Sequence, residues 1–281
     1  MKKLTFLVFA VAACSLFAGS RQLMVDQEKP EMWKGMVEYK PEFARGKGPC
    51  FLLFGKYPTP LIYNKYLPVS PGKTYVLKAS FRTLDPKLPA SAYLGLELYD
   101  GKKRMICFRN LRNAARSESK VVSANKGDKF LIVKKFPSWK TIKVAVVAFH
   151  AKADFSDIPN FDLSPQMANM ELSGEDKIKI NLKRPLKKSY PAGTDIRLHS
   201  PWSTTMYFLG SGWMPAGDGK SFTATISGFS DKPATPRDKF WKTTKYVRPF
   251  IWFGNWSKLP KPGAKLLVDG FSFEEIDTPE K

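Results

Sequence analysis

A strictly alternating run at residues 69–83, VSPGKTYVLKASFRT, limits the possible folds more than any other part of the chain. A Pro71-Gly72 turn precedes it, and polar and apolar residues then follow one another with a period of two. Every second residue is apolar and is predicted to face a core: Tyr75, Leu77, Ala79 and Phe81. This period indicates a half-buried β-strand and excludes a helix over the same residues.

The rest of the chain repeats this pattern of short strands separated by Pro, Gly, Asn and Asp. Asp100-Gly101 is a strong hairpin signal between two of the strands. Helical periodicity is nearly absent. Further strands are predicted at residues 92–99, 104–108, 141–149, 177–182, 195–199, 221–229, 246–253 and 266–276. The sequence therefore predicts an all-β protein, an antiparallel β-sandwich or jelly roll.

Residues 1–20 have the composition of a signal peptide. Lys2 and Lys3 precede an apolar stretch at 4–13, which is too short to span a bilayer. Small residues before Arg21 suit an ordinary signal-peptidase cut, whereas Val11-Ala12-Ala13-Cys14 resembles a lipobox that would leave Cys14 lipidated. Both alternatives predict an exported protein, extracellular, periplasmic or at the cell surface, with no later transmembrane segment.

Residues 21–281 are long enough for one elaborated β-sandwich domain or two small domains. The irregular stretch at 151–172 is interpreted as a long surface loop within one domain, with a domain boundary as the alternative. Cys50 and Cys107 both lie in strand-like sequence. In an oxidising compartment they would pair as a disulfide, or they would remain two separate thiols that behave as small hydrophobic groups.

The formal net charge of +21 favours polyanionic partners such as acidic polysaccharide, nucleic acid or a charged cell surface. Lys and Arg are nevertheless spread along the chain, and no nucleic-acid motif accompanies them. The densest groups are Lys102 to Arg104, Lys183-Arg184 with Lys187-Lys188, and Lys239, Lys242, Lys245 with Arg248. They are interpreted mainly as solvated faces, and no specific nucleic-acid partner is predicted.

The alternating run 69–83 resembles an early strand of carbohydrate-binding modules of the CenC type, the family 4/9 group with a galactose-binding-like fold. The closing run LLVDGFSFEEI at 266–276 is similar to the last strand of those modules. Residues 185–199 and 239–248 resemble uncharacterised exported proteins of Lentisphaerae-like bacteria. The resemblance implies a scaffold that binds carbohydrate and does not cleave it.

Aromatic residues in the second half are the candidate ligand-binding groups, because an aromatic face packs on the apolar face of a sugar ring. Alternation places Tyr246, Arg248, Phe250 and Trp252 on one face, and a cation beside aromatics suits an acidic sugar. The alternative is that these rings fill the core. Trp202 and Trp256 lie in loop-like sequence. The predicted ligand-binding set is Trp202, Tyr207, Trp213, Arg248, Trp252 and Trp256.

Two carboxylate hypotheses complete the list of candidate sites. By resemblance, Asp269 in the closing strand implies a structural calcium ion. Glu97 and Asp100 are close enough in sequence for the carboxylate pair of a glycosidase. Since they are three apart in a strand, we expect them to face opposite sides. Neither histidine has metal-ligand spacing, and no nucleophile elbow or phosphate-binding loop occurs.

These observations together predict an exported, non-catalytic protein that resembles a carbohydrate-binding module and binds poly- or oligosaccharide through aromatic and basic side chains. The alternatives are a structural or cell-surface assembly protein without a glycan ligand, and an unrecognised polysaccharide-cleaving enzyme. No catalytic residue is predicted, and calcium is the one cofactor considered. The sequence leaves the oligomeric state open.

Overall fold

The computed structural model describes residues 20–35, 37–45, 49–54, 59–85, 87–88, 90–202, 207–214, 219–230, 238–241, 243–254 and 262–276, with the backbone alone for residues 59, 90 and 207–214. Residues 1–19 of the predicted signal peptide lie outside these residues. The strands that precede the short helix α1 (Phe108–Leu111) are β1 (Ser20–Gln22), β2 (Trp33–Lys34), β3 (Val37–Tyr39), β4 (Cys50–Phe54), β5 (Thr59–Tyr63), β6 (Leu67–Pro68), β7 (Thr74–Thr83), β8 (Ala90–Tyr99) and β9 (Met105–Ile106).

Twelve more strands follow α1 in the described chain. They are β10 (Ser119–Ser123), β11 (Phe130–Lys134), β12 (Val146–Phe149), β13 (Met167–Leu172), β14 (Lys177–Leu182), β15 (Asp195–His199), β16 (Tyr207–Met214), β17 (Lys220–Ser227), β18 (Phe229–Ser230), β19 (Phe240–Trp241), β20 (Tyr246–Phe253) and β21 (Lys265–Ile276). Short 3-10 turns lie at Pro30–Met32 and Pro41–Phe43.

Two antiparallel sheets form a sandwich, which confirms the predicted fold class. The first, sheet I, has the strand order β17-β7-β21-β4-β3 with β1 beside β21. The second, sheet II, has the order β16-β8-β20-β5-β2, with β6 beside β20 and β9 beside β8. Their facing side chains form one apolar core, and each large aliphatic side chain buried there contributes about 1.5–3 kcal/mol to stability.

The two runs that predicted the sandwich are neighbouring strands. β7 pairs antiparallel with β21, from Thr74 opposite Ile276 to Thr83 opposite Leu266. The four residues predicted to face inward from β7, Tyr75, Leu77, Ala79 and Phe81, all belong to the sandwich core. The prediction of an inward face from alternation alone is confirmed.

The chain between β9 and β16 forms a third sheet, sheet III, with the order β12-β15-β10-β11-β14-β13. Its two outer strands come together because residues 162–167 run antiparallel to β12. The Ser164 amide donates to the Val147 carbonyl at 2.8 Å, and the Met167 amide donates to the Ala145 carbonyl at 2.8 Å. Leu163 also bridges to Ala148. Sheet III therefore closes into a small barrel around a second core of its own.

The predicted strand at 141–149 is shorter than expected and the loop at 151–172 is more ordered. The strand begins at Val146, since Ser138 to Thr141 form turns instead. Residues 162–172 are part of the barrel, and Ile158 belongs to the sandwich core. The stretch 151–172 thus attaches the barrel to the sandwich and does not divide the two cores.

Cys50 and Cys107 are both free thiols, so the disulfide alternative is wrong. Cys50 is fully buried on the outer side of sheet I, whereas Cys107 is half-buried beside α1. Within the described residues, no helix is both long and apolar enough to cross a membrane.

Candidate functional site

An open groove of about 680 Å³ lies where the barrel meets the sandwich. Its walls come from three segments that the sequence separates widely: residues 107–110 around the start of α1, residues 161–165 of the barrel closure, and residues 184–190 after β14. Phe161, in the middle segment, packs against the sandwich core. The groove therefore exists only because the barrel is held against the sandwich.

Positive charge dominates this groove. Arg109, Arg184, Lys187 and Lys188 line it, and Asp162 is the one acidic residue among its described lining residues. Arg184 and Lys187 are exposed. Within the described chain, neither side chain has a carboxylate or carbonyl within ion-pair or hydrogen-bond distance. Two cations are therefore available to an anionic ligand at the groove wall.

The negative charge of Asp162 is already neutralised by neighbouring side chains. The Tyr190 hydroxyl donates to Oδ1 at 2.7 Å, and the Lys188 ammonium donates to Oδ2 at 2.9 Å. His150 Nε2 lies 3.6 Å from the same Oδ2 atom. Burial, together with the hydrogen bond to Asp162, raises the pKa of Tyr190 well above its ordinary value. The tyrosine therefore remains a neutral donor, and the groove keeps its net positive charge.

Arg109 connects the groove to Trp202. The Arg109 guanidinium donates through Nε and Nη2 to the Pro201 carbonyl, at 3.2 and 2.9 Å. The Arg109 amide donates to the Trp202 carbonyl at 3.1 Å. The Trp202 side chain is 65% exposed. The predicted binding residue Trp202 therefore lies beside a residue of the groove wall, with most of its ring surface open to a ligand.

A buried network of hydrogen bonds, formed by Arg197, His199 and Asp157, contacts the backbone of Arg109. The Arg197 guanidinium donates from Nε to His199 Nε2 at 3.0 Å, from Nη1 to the Lys152 carbonyl at 3.1 Å, and from Nη2 to Asp157. Because His199 Nε2 accepts, Nδ1 carries the proton and donates to the Arg109 carbonyl at 2.8 Å. Burial lowers the pKa of His199 to about 4, and the nearby Arg197 charge acts in the same direction.

Asp157 is the counter-ion of this network. Burial alone would raise its pKa, but hydrogen bonds from Asn160 and Arg197 outweigh burial and hold the pKa below its ordinary value. The Asn160 amide nitrogen also donates to the Phe149 carbonyl at 2.9 Å. The Asn110 amide nitrogen in turn donates to the Asn160 carbonyl at 2.9 Å. This chain of bonds fixes α1, and with it one groove wall, to the barrel.

Arg248 and Trp252 lie elsewhere, on the outer face of sheet II. The prediction that Tyr246, Arg248, Phe250 and Trp252 share one face agrees with the structure, since the intervening Val247, Ile251 and Phe253 belong to the core. The Arg248 guanidinium, however, is largely buried. It donates to the Tyr63 carbonyl at 2.9 Å and lies 3.7 Å from Glu97. Its charge is therefore engaged within the protein, while Trp252 is half-buried.

The other three predicted aromatics are only partly described. Tyr207 and Trp213 lie in β16, at the register positions opposite Leu96 and Ser91. Trp256 lies outside the described residues. The structure therefore places the backbone of Trp202 beside Arg109 of the groove wall, and Arg248 and Trp252 on a different surface.

Asp269, the residue considered for calcium, lies beside a cation in the structure. Its Oδ2 atom lies 3.6 Å from Nε of Arg82, and Cys50 occupies the facing position on β4. A guanidinium repels a second cation, and a thiol is not a calcium ligand. Among the described residues no group of three His, Cys, Asp or Glu side chains is arranged to hold a metal ion. Asp269 is thus the partner of Arg82 in the structure, and the calcium ion stays a prediction.

The carboxylates considered for a glycosidase have structural partners. Glu97 accepts a hydrogen bond from the Tyr99 hydroxyl at 2.6 Å, next to Arg248. Asp100 accepts bonds from the Lys102 and Arg104 amides at 2.9 and 2.8 Å, which close the hairpin turn. Asp100 is therefore a turn residue, as its position before Gly101 indicates.

The basic group Lys183 to Lys188 is visible in the sequence, where it is interpreted as a solvated face. Arg109, Asp162 and Tyr190 are not among the predicted site residues. The available signal was the spacing of Arg184, Lys187 and Lys188 around the buried Leu186. That spacing puts several cations on one side of a short segment, but nothing in the sequence shows which other segments face it.

Comparison with protein-family models and with curated proteins identifies no relative of this chain. No protein-family model matches this chain, and no curated protein matches its sequence. Its function is therefore inferred from the chemistry of the groove and from the residues around it.

Proposed function

We propose that this is an exported, non-catalytic carbohydrate-binding protein that holds acidic oligosaccharide in the groove between barrel and sandwich. The observation that carries the proposal is the groove's composition: four basic residues, one compensated acid, and an exposed tryptophan beside the wall. Arg184 and Lys187 are placed to pair with carboxylate or sulfate groups of the glycan. Trp202 offers a flat apolar surface to a sugar ring.

The size and shape of the groove support a chain-like ligand. A volume of about 680 Å³ is within the usual range of small-molecule sites, roughly 300–1,000 Å³. The groove is open to solvent and not an enclosed cavity, so a sugar polymer can continue beyond it. The leader predicted at residues 1–20 would deliver the protein to a compartment where acidic polysaccharides occur.

A glycan array tests the class of ligand. It would carry uronate oligomers, sulfated oligosaccharides and neutral cello-oligosaccharides, with duplex DNA as a polyanion for comparison and heat-denatured protein as the control. We expect acidic oligosaccharides to bind at physiological salt, above neutral sugars and above DNA. Binding to no glycan, or binding that disappears at moderate salt equally for sugars and DNA, would show only a general charge effect and overturn the proposal.

A further inference from the structure

A second opening, of about 530 Å³, lies on the outside of the barrel. Trp139 forms one wall, and Lys140, Lys143, Asn169 and Met170 contribute to the others. No acidic residue is among its described lining residues. The opening shares no lining residue with the groove. It therefore offers a separate combination of an aromatic ring, ammonium groups and an amide.

Trp139 is held firmly in this position. Its side chain is partly buried and packs against the barrel core. The turn that carries it is closed by bonds from the Thr141 and Ile142 amides to the Ser138 carbonyl, at 3.0 and 3.3 Å. A ring that is already fixed loses little conformational entropy when a ligand stacks on it. The Trp139 ring is thus a preorganised stacking surface and not a mobile surface side chain.

The polar groups of this pocket suit an acidic sugar. The Lys140 ammonium lies 5.6 Å from the centre of the Trp139 ring, and the Lys143 ammonium donates to the Lys140 carbonyl at 3.0 Å. Asn169 Oδ1 accepts from Asn181 at 2.7 Å, which turns the Asn169 amide group and leaves its own N–H donors without a partner in the described chain. Glu171, two residues after Asn169, is paired with Lys179 at 3.3 Å.

One continuous segment connects the groove to this pocket. Leu163, Ser164 and Pro165 line the groove, and Ala168, Asn169 and Met170 line the pocket. Asn169 is five residue steps from Ser164, or at most roughly 17 Å at about 3.3 Å per extended residue. The exposed Lys183 lies midway, since its amide donates to the Gln166 carbonyl at 2.9 Å. A cation of the groove, the exposed Lys183 and the lysines of the pocket therefore follow one another along this path.

We propose that the Trp139 pocket is a second sugar-binding subsite, and that one acidic polysaccharide chain extends from the groove to it along residues 164–169. This inference rests on the proposed function, because the groove supplies the first subsite. A ligand that reaches both subsites makes its second contact within an existing complex, so its affinity exceeds that of a ligand confined to the groove. The pocket then selects long chains over short ones.

Calorimetric titration with oligogalacturonates of increasing length tests the second subsite. We expect the affinity of the wild-type protein to rise roughly tenfold or more between the trimer and the octamer. Trp139→Ala should remove this increase and leave trimer binding unchanged, whereas Trp139→Phe should keep most of the increase. Lys140→Glu with Lys143→Glu, at exposed positions outside the barrel core, should have the effect of Trp139→Ala without affecting folding.

The outcomes separate this inference from the proposed function. If the trimer binds and both pocket variants keep the full length dependence, the groove is a binding site and the second subsite is wrong. If the wild-type protein binds neither trimer nor octamer, the proposed function fails and the second subsite fails with it. Circular dichroism and thermal unfolding of each variant establish that a lost response is not a lost fold, and the lysine pair gives the answer if Trp139→Ala does not fold.

Discussion

The buried Arg197 guanidinium donates a hydrogen bond to the imidazole of His199 at 3.0 Å. This contact requires a neutral histidine, because a protonated Nε2 has no lone pair to accept it. The other imidazole nitrogen donates a hydrogen bond to the carbonyl of Arg109. Arg109 lies in the groove wall, and its amide donates to the carbonyl of Trp202. The protonation state of one buried side chain is thereby linked to the position of the groove wall.

The first prediction concerns pH. The pKa of His199 is about 4 in the folded protein, against about 6.5 for an unfolded chain. Between these values the unfolded state binds more protons, so this histidine's contribution to stability is complete above pH ~6.5 and is lost as pH falls toward ~4. The free energy of unfolding from urea titrations should drop by about 2 kcal/mol between pH 7 and pH 5 through His199 alone.

His199→Gln provides the control for this pH effect. Its amide oxygen keeps an acceptor for Arg197 but does not titrate, so the variant should show a smaller loss between the two pH values. Arg197 and Asp157 face His199 in both proteins, and Asp157, with its pKa lowered, contributes only at more acidic pH. The same pH dependence in the variant and the wild type would contradict a neutral, buried His199.

A second prediction concerns the Arg197–Asp157 ion pair. Arg197→Met should lower the free energy of unfolding by about 3–5 kcal/mol, because it leaves the Asp157 carboxylate without its buried partner. Arg112→Met removes an exposed arginine from the same region and should change stability by no more than about 0.5 kcal/mol. Adding Asp157→Asn to Arg197→Met should recover part of the loss. A loss no larger than that of Arg112→Met would show that the network does not stabilise the junction.

The third prediction assigns binding to Trp202. Trp202→Ala should weaken acidic-oligosaccharide binding by about tenfold, or about 1.4 kcal/mol, because the exposed ring is lost as a stacking surface. Its melting temperature should be unchanged, since the described contacts of Trp202 with Arg109 are made by the backbone. Trp202→Phe should retain intermediate affinity. Unchanged affinity in the alanine variant would exclude Trp202 from the site.

The fourth prediction uses the thiols as reporters. Burial raises the pKa of both thiols, that of Cys50 to about 12, but Cys50 is fully buried whereas Cys107 is half-buried and lines the groove. Iodoacetamide should therefore modify Cys107 well before Cys50 in the folded protein, as followed by peptide mass mapping. A bound acidic oligosaccharide should slow modification of Cys107. A rate that saturating ligand leaves unchanged would place the ligand away from Cys107.

Alternation predicted the sandwich well because each of its strands has one face in the core and one face outside. The sandwich strand β20 begins and ends at the predicted residues, and so do the barrel strands β14 and β15. The barrel was not foreseen, because a strand in a small barrel has the same period of two as a strand in a sandwich. Its closure depends on backbone bonds from Ser164 and Met167, and no side-chain pattern specifies those bonds.

The site was less predictable than the fold for a related reason. Arg184 and Lys187 were visible as a basic group, but their partners in the groove, Arg109 and Asp162, come from segments that only tertiary packing brings together. Arg248 shows the opposite error. Its alternation with aromatics suggested an exposed ligand contact, whereas the register of β8 and β20 places Glu97 directly opposite and pairs the two charges.

The central claim is that acidic oligosaccharide binds in the groove through Arg184 and Lys187. Calorimetric titration of oligogalacturonate into Arg184→Glu with Lys187→Glu tests it most directly. Lys220→Glu with Lys265→Glu, at exposed sandwich positions outside the groove lining, is the charge-matched control. We expect the groove variant to lose at least about a hundredfold in affinity, roughly 2.7 kcal/mol, and the control to stay within about threefold of the wild type. Equal losses in the two variants would contradict a specific site and leave only the general attraction of a basic protein for polyanions.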